Sequence, residues 1–156
     1  MLPLKPEAGP YWVRLELVRE PGRPAVKVEN ADDLGPVLLS YFQGRDREEF
    51  VVVCLDARHR VTALHSCSVG SVSASIVHPR EVFKVAILTN ASAVILAHNH
   101  PSGDPEPSPE DIAITRRLAK AGGMMGIPVL DHLVAGEDRV VSLTSGQGLP
   151  RGEFEA

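Results

Sequence analysis

Hydrophobic positions along the chain follow two periods, and the changes between them mark out the elements. Trp12 to Val18 alternates, with Val13, Leu15 and Leu17 on one side and Arg14 and Glu16 on the other, as in a half-buried strand. Pro21-Gly22-Arg23-Pro24 turns the chain, and Ala25 to Val28 can return beside it. Residues 1–29 are therefore expected to be a lead-in and a peripheral β-hairpin. After Asn30 the period becomes helical: Leu34, Val37, Leu38 and Tyr41 recur at i, i+3, i+4 and i+7. Asn30-Ala31-Asp32-Asp33 supplies an N-cap with an acid three residues on. Pro36 argues that regular helix begins late, near Asp33, and Gly44 ends it.

Continuous apolar runs come next. Phe50 to Leu55 and Ala93 to Ala97 read as central strands buried on both faces. Val61 to Cys67, Val72 to Val77, Ile127 to Ala135 and Arg139 to Leu143 read as further strands, the last two joined by a turn at Gly136-Glu137-Asp138. Pro79 begins a second helix, with Val82, Phe83, Ala86, Ile87 and Asn90 inward. A third runs from Pro109 to about Ala121, with Ile112, Thr115, Leu118 and Ala119 inward and Gly122-Gly123 as its stop. Strands interrupted by single helices predict an α/β (α+β) fold, a mixed and mostly antiparallel sheet sandwiched by helices. One domain is expected over residues 30–149, with a tail at 150–156.

Composition narrows the classes. The 156 residues are 44% hydrophobic and 23% charged, an ordinary globular balance. A formal net charge of −4 gives no support to phosphate contacts as the main activity. The two cysteines, Cys54 and Cys67, lie on predicted strands without CxxC spacing and read as small buried hydrophobes. No basic-then-apolar leader and no apolar run of about 20 residues is present. A cytoplasmic protein without membrane association is expected.

Chemistry concentrates between Val94 and Asp111. His98 and His100 end the apolar strand, and residues at i and i+2 share one side, so the two imidazoles can share a ligand. Pro101 stops the strand and a Gly/Pro/Ser loop follows. Ser108-Pro109-Glu110-Asp111 then reads as a helix start, Ser at N-cap and Pro at N1, which brings Asp111 back toward the strand end. Two His and one Asp suit one Zn²⁺ ion and leave a position open for water. Each residue also has an ordinary role: a surface His pair, an Asp at N3 facing the helix dipole, a capping Ser. The three-letter string His98-Asn99-His100 carries no specificity for an HNH nuclease.

His98-Asn99-His100-Pro101, six residues, then Ser108-Pro109-Glu110-Asp111 resembles the H-x-H-P-x6-S-x-x-D signature of the JAMM (MPN-plus) zinc metalloproteases. With VHPREVF before it and LDHLVAG after it, the stretch is most similar to the RadC branch, over about Asn30 to Leu149. The resemblance implies a JAB/MPN (cytidine deaminase-like) architecture and a zinc-activated water that cleaves a peptide or isopeptide bond. It assigns His98, His100 and Asp111 to the metal and Ser108 to the oxyanion. An acid/base Glu is expected just before the first core strand. Glu48 aligns best, with adjacent Glu49 the alternative; neighbours on a strand face opposite sides, so one of them can serve. In the LDH segment, His132 either orients a metal ligand or forms a buried hydrogen-bonded pair with Asp131. His59, His65 and His78 read as turn, structural or exposed residues. A peptide or protein substrate follows from the resemblance. DNA enters only through the RadC label of DNA repair: residues 1–29 are too short for the helix-hairpin-helix module common in RadC proteins. A metal-binding scaffold without catalysis is the remaining alternative. The N-terminal hairpin offers an edge for self-association.

Overall fold

A computed structural model describes Arg14, residues 26–70 and residues 77–146. The predicted strands 12–18 and 72–77 and the tail 150–156 fall almost wholly outside the described residues. Residues 26–28 do pair, though with the turn after the first core strand: Lys27 bridges Arg60, and Val28 N–H donates to the His59 carbonyl at 2.9 Å.

The elements run α1 (Ala31–Phe42), β1 (Glu48–Leu55), β2 (Val61–Gly70), α2 (Pro79–Leu88), β3 (Ala93–Asn99), α3 (Pro109–Met125), β4 (Val129–Ala135), β5 (Val140–Ser142) and a short α4 (Leu143–Gly146). The sheet has the order β2-β1-β3-β4-β5. All neighbours are antiparallel except β3 and β4. That pair is joined through α3, as a parallel pair requires a crossover. Helices cover both faces. Phe50, Val52 and Cys54 of β1 with Val94 and Leu96 of β3 pack under α2 and α3. Val51, Val53, Leu55, Ile95 and Ala97 pack under α1. The central strands are apolar at every position because both faces are covered. Among the described residues, no helix is long and apolar enough to cross a membrane.

Several sequence expectations shift. Helix α1 begins at Ala31, not near Asp33, because Asn30 and Asp33 form a complete capping box. Pro36 is tolerated inside it on the exposed face, where its missing N–H leaves a carbonyl to water. Val37 also faces out, and Phe42 takes the buried position. On α2, Ile87 is 55% exposed and Asn90 lies past the helix end in a left-handed turn, φ 53°. Helix α3 passes through Gly122-Gly123 to Met125, with Ile114 buried rather than Ile112, and ends at Gly126 in the left-handed conformation. Gly122 is a packing residue: a Cβ there would lie 2.4 Å from the Ile127 carbonyl oxygen and 3.1 Å from the Phe83 ring. Strand β2 continues to Gly70, whereas β4 and β5 are shorter than expected.

Candidate metal centre

The centre lies at the C-terminal end of β3, on the α3 side of the sheet. His98 pairs directly with Phe50 across β1–β3, so the two side chains share a face. The Phe50 ring lies stacked beside the His98 ring, centroids 6.1 Å apart, and meets His132 edge-on at 5.4 Å. His98 is fully buried; His100, one step beyond the strand, is partly exposed.

Asp111 arrives through the cap of α3. Ser108 Oγ accepts the Asp111 N–H at 3.1 Å, and Asp111 Oδ2 accepts the Ser108 N–H at 2.8 Å. This capping box fixes the carboxylate and leaves the Ser108 hydroxyl hydrogen outside the box. The cap that fixes Asp111 is also what brings its carboxylate to His98 and His100. Oδ1 lies 3.1 Å from His98 Nε2, and Oδ2 lies 3.3 Å from His100 Nε2. The two Nε2 atoms are 3.1 Å apart.

Proton positions follow from what surrounds the rings. His100 Nδ1 faces the Asp104 carbonyl at 2.8 Å. A carbonyl only accepts, so Nδ1 carries the hydrogen and Nε2 of the neutral ring is a bare lone pair. On the other side, His98 Nδ1 lies 2.7 Å from His132 Nε2, and His132 Nδ1 lies 2.5 Å from Thr115 Oγ1. Burial pushes the fully buried His132 well below its ordinary value of 6.5, keeping it neutral. When His100 is protonated its Nε2–H donates to the Asp111 carboxylate, which raises its pKa against the opposing effect of burial, with a smaller contribution from the charge of Glu48. Burial pulls Asp111 upward, but hydrogen bonds and charge from His100 and His98 in their protonated forms outweigh it and hold the carboxyl well below the usual range.

His98, His100 and Asp111 form the one cluster of potential metal ligands among the described residues. Its shape fits zinc. Four-coordinate zinc with bonds of about 2.0–2.1 Å places neighbouring ligand atoms about 3.3–3.4 Å apart, close to the spacings here. Two lone pairs and a carboxylate at this distance repel unless a cation or a shared proton sits between them. The loop that carries them is firm. His100 N–H donates to the Ala135 carbonyl, Gly103 N–H to the His100 carbonyl and Glu137 N–H to the Gly103 carbonyl.

Strand β1 begins two residues earlier than expected, so the two acids are its first residues, and they separate. Phe50 stands opposite His98 in the β1–β3 ladder, and Glu48, two residues earlier on the same strand, falls on that face by alternation; its charge contributes to raising His100. Glu49 faces α1. It is buried, accepts the Tyr41 hydroxyl at 2.6 Å and lies 3.6 Å from Arg45 Nε. Burial and that bond push Tyr41 up to about 12. Asn99 ties the strands together here, accepting Glu49 N–H at 2.8 Å and donating to the Arg47 carbonyl at 3.1 Å. Asp131 and His132 also part: the Asp131 carboxylate accepts from His132 N–H and the Ser142 hydroxyl, while the His132 ring goes to His98 and Thr115. Thr115 was legible only as an inward helix position. The remaining signal, a hydroxyl four residues after Asp111, gains meaning only once β4 is placed beside β3. Tyr41 was legible only as a position on the apolar face of its helix, and Asn99 gave no signal of its role.

A cleft of about 610 Å³ opens beside His100, lined by Arg45, Asn99, Ser102 and Glu137 among others.

Residues 28–149 match the RadC-like JAB domain family. Similar curated proteins include the UPF0758 protein of Alkaliphilus metalliredigens, 49% identical over 117 residues, covering 75% of this chain and 50% of that protein. Another, of Moorella thermoacetica, is 51% identical over 116 residues, covering 74% and 51%. A third, of Rubrobacter xylanophilus, is 50% identical over 124 residues, covering 80% and 54%. The chain spans about half the length of the curated relatives it matches.

Proposed function

Because the chain belongs to the RadC-like JAB domain family, we propose that it is a zinc-dependent hydrolase that cleaves a peptide or isopeptide bond with water. The observation that carries this reading is the convergence of two imidazole Nε2 atoms and a buried carboxylate at zinc-ligand spacing, with Glu48 on the same face.

When bound, zinc lowers the pKa of a water to about 7 and polarises a carbonyl. His98 Nε2, His100 Nε2 and the Asp111 carboxylate would hold the ion. Glu48 takes the proton of the attacking water on its carboxylate and passes it to the departing amine nitrogen. Ser108 offers its hydroxyl hydrogen to the developing oxyanion while its lone pair keeps the Asp111 N–H. Phe50 and the buried His98 and His132 rings close the inner side against bulk water.

Glu48→Gln preserves the shape and removes the base. Cleavage of a panel of α-peptide and Lys ε-amide conjugates is expected to fall about 10²–10⁴-fold, with zinc content unchanged. Asp111→Asn is expected to lose zinc. Glu49→Gln keeps an acceptor for Tyr41 on the far face and is expected to retain the chemistry. Full-rate cleavage by zinc-loaded Glu48→Gln refutes the acid/base assignment. Stoichiometric zinc with no cleavage across the panel by the wild-type chain would reduce the protein to a metal-binding scaffold.

A further inference from the structure

We propose that Thr115 and His132 are positioning residues that lock His98 in the tautomer whose Nε2 is free to bind metal. The proposal rests on the reading of His98, His100 and Asp111 as ligands, and is independent of what the centre cleaves.

The chain of hydrogen bonds has one consistent direction. Thr115 Oγ1 lies 2.6 Å from the Asp111 carbonyl, which is four residues back on the same helix and can only accept. The single hydroxyl hydrogen is therefore committed there. Its oxygen must accept from His132 Nδ1, 2.5 Å away, which places a hydrogen on that nitrogen. A neutral ring with Nδ1–H has a bare Nε2. His132 Nε2 then accepts from His98 Nδ1 at 2.7 Å, so the hydrogen of His98 is on Nδ1 and its Nε2 is bare toward His100 and Asp111. The arrangement begins at the backbone of Asp111 and ends on the ring beside the Asp111 carboxylate, closing through helix α3, strand β4 and strand β3. All three participants are buried: His98, His132 and Thr115 each show 0% exposure, so water cannot substitute for a missing partner. Ligand histidines commonly donate their second nitrogen to a carbonyl or carboxylate. His100 follows that pattern through Asp104, whereas His98 donates to another imidazole, whose own tautomer has to be set by a further group. That group is Thr115.

Thr115→Val tests this because Val has the shape of Thr but no hydroxyl, and residue 115 is separated from the metal position by two rings. Without the acceptor, His132 can move its hydrogen to Nε2. His98 Nδ1 must then accept, and its hydrogen appears on Nε2, where a ligand lone pair is required. Thr115→Ser keeps the hydroxyl. The measurements are nitrogen-15 NMR of the imidazoles in the metal-free full chain and zinc affinity by chelator competition. Folding of each variant is checked by circular dichroism and thermal melting. In the metal-free wild type, His98 and His132 are expected to carry hydrogen on Nδ1. Thr115→Val is expected to give a mixed or reversed His98 tautomer and about 10–100-fold weaker zinc binding, and Thr115→Ser to restore both. A wild-type His98 with hydrogen on Nε2 overturns the proposal, whether or not any variant folds. So does a folded Thr115→Val chain with wild-type zinc affinity, or a Thr115→Ser chain as impaired as Thr115→Val. Zinc binding without cleavage would refute the hydrolase reading and leave this one standing.

Discussion

Gly136→Ala should injure the metal centre from outside it. Gly136 follows β4 and lies under the ligand loop. A Cβ built there would sit 2.5 Å from the Gly103 carbonyl oxygen and 2.8 Å from Pro105 Cδ. An ordinary carbon–oxygen contact needs about 3.3 Å, so loop or turn must move by roughly 0.8 Å. Neither neighbour is a flexible side-chain end. Pro105 is buried, and Gly103 is already in a left-handed conformation, φ 89°. The movement strains the Glu137 N–H to Gly103 carbonyl bond, 3.0 Å, and the Asp104 carbonyl that orients His100. Overpacking costs about 1–3 kcal/mol and a weakened hydrogen bond about 1 more, so a loss of about 2–4 kcal/mol is expected. Zinc affinity should fall by about tenfold as His100 loses its orienting partner. Urea unfolding of the metal-free chain gives the first quantity and chelator competition the second. Gly35→Ala is the control: it lies in α1 with nothing within 4 Å of its added Cβ, and should stabilise by about 0.4–1 kcal/mol. If both variants shift stability alike, or Gly136→Ala leaves stability and zinc affinity untouched, the loop is not clamped as described.

Two further outcomes follow from packing and titration. Gly122→Ala should destabilise by about 1–3 kcal/mol in spite of the better helix propensity of Ala, because its Cβ meets the Ile127 carbonyl at 2.4 Å; a melting temperature equal to wild type would refute the close approach. Stability of the metal-free chain should peak near pH 6.5, measured by urea midpoints across pH. His132, held below its ordinary 6.5, withholds a proton that the unfolded chain takes up, so stability falls below that pH. Asp111, held below 3.8, steepens the fall in acid. His100, raised above 6.5, contributes stability that is lost as pH rises through its folded value. A midpoint that climbs steadily from pH 6.5 to 9 without metal would contradict the His100–Asp111 pairing.

Much of the centre was local, and local features are legible. His98 and His100 share a side by strand period, Ser108 and Asp111 meet by capping geometry, and the six-residue spacing between the two parts is covalent. The helices and central strands were equally visible, because two-sided burial writes continuous apolar runs. The start of α1 was a local error, Pro36 being outweighed by the Asn30–Asp33 capping box; elsewhere the deciding contact lay beyond the helix. Gly122-Gly123 looks like a helix stop until the Ile127 carbonyl is seen against it, and Ile87 looks inward until the packing of α2 leaves it in solvent.

The sequence by itself determined that a strand end and a helix start each carry groups able to ligate a metal, and that Glu48 and Glu49 must face opposite sides. Only the tertiary structure decided which of the two shares the face of His98. That depends on the register of β1 against β3, Phe50 opposite His98, a hydrogen-bonded match between segments nearly fifty residues apart. It also decided the state of His98 itself. The hydrogen on that ring is placed by Thr115 from α3 and His132 from β4, groups that no periodicity connects and that meet only because α3 carries the chain across to lay β4 parallel to β3.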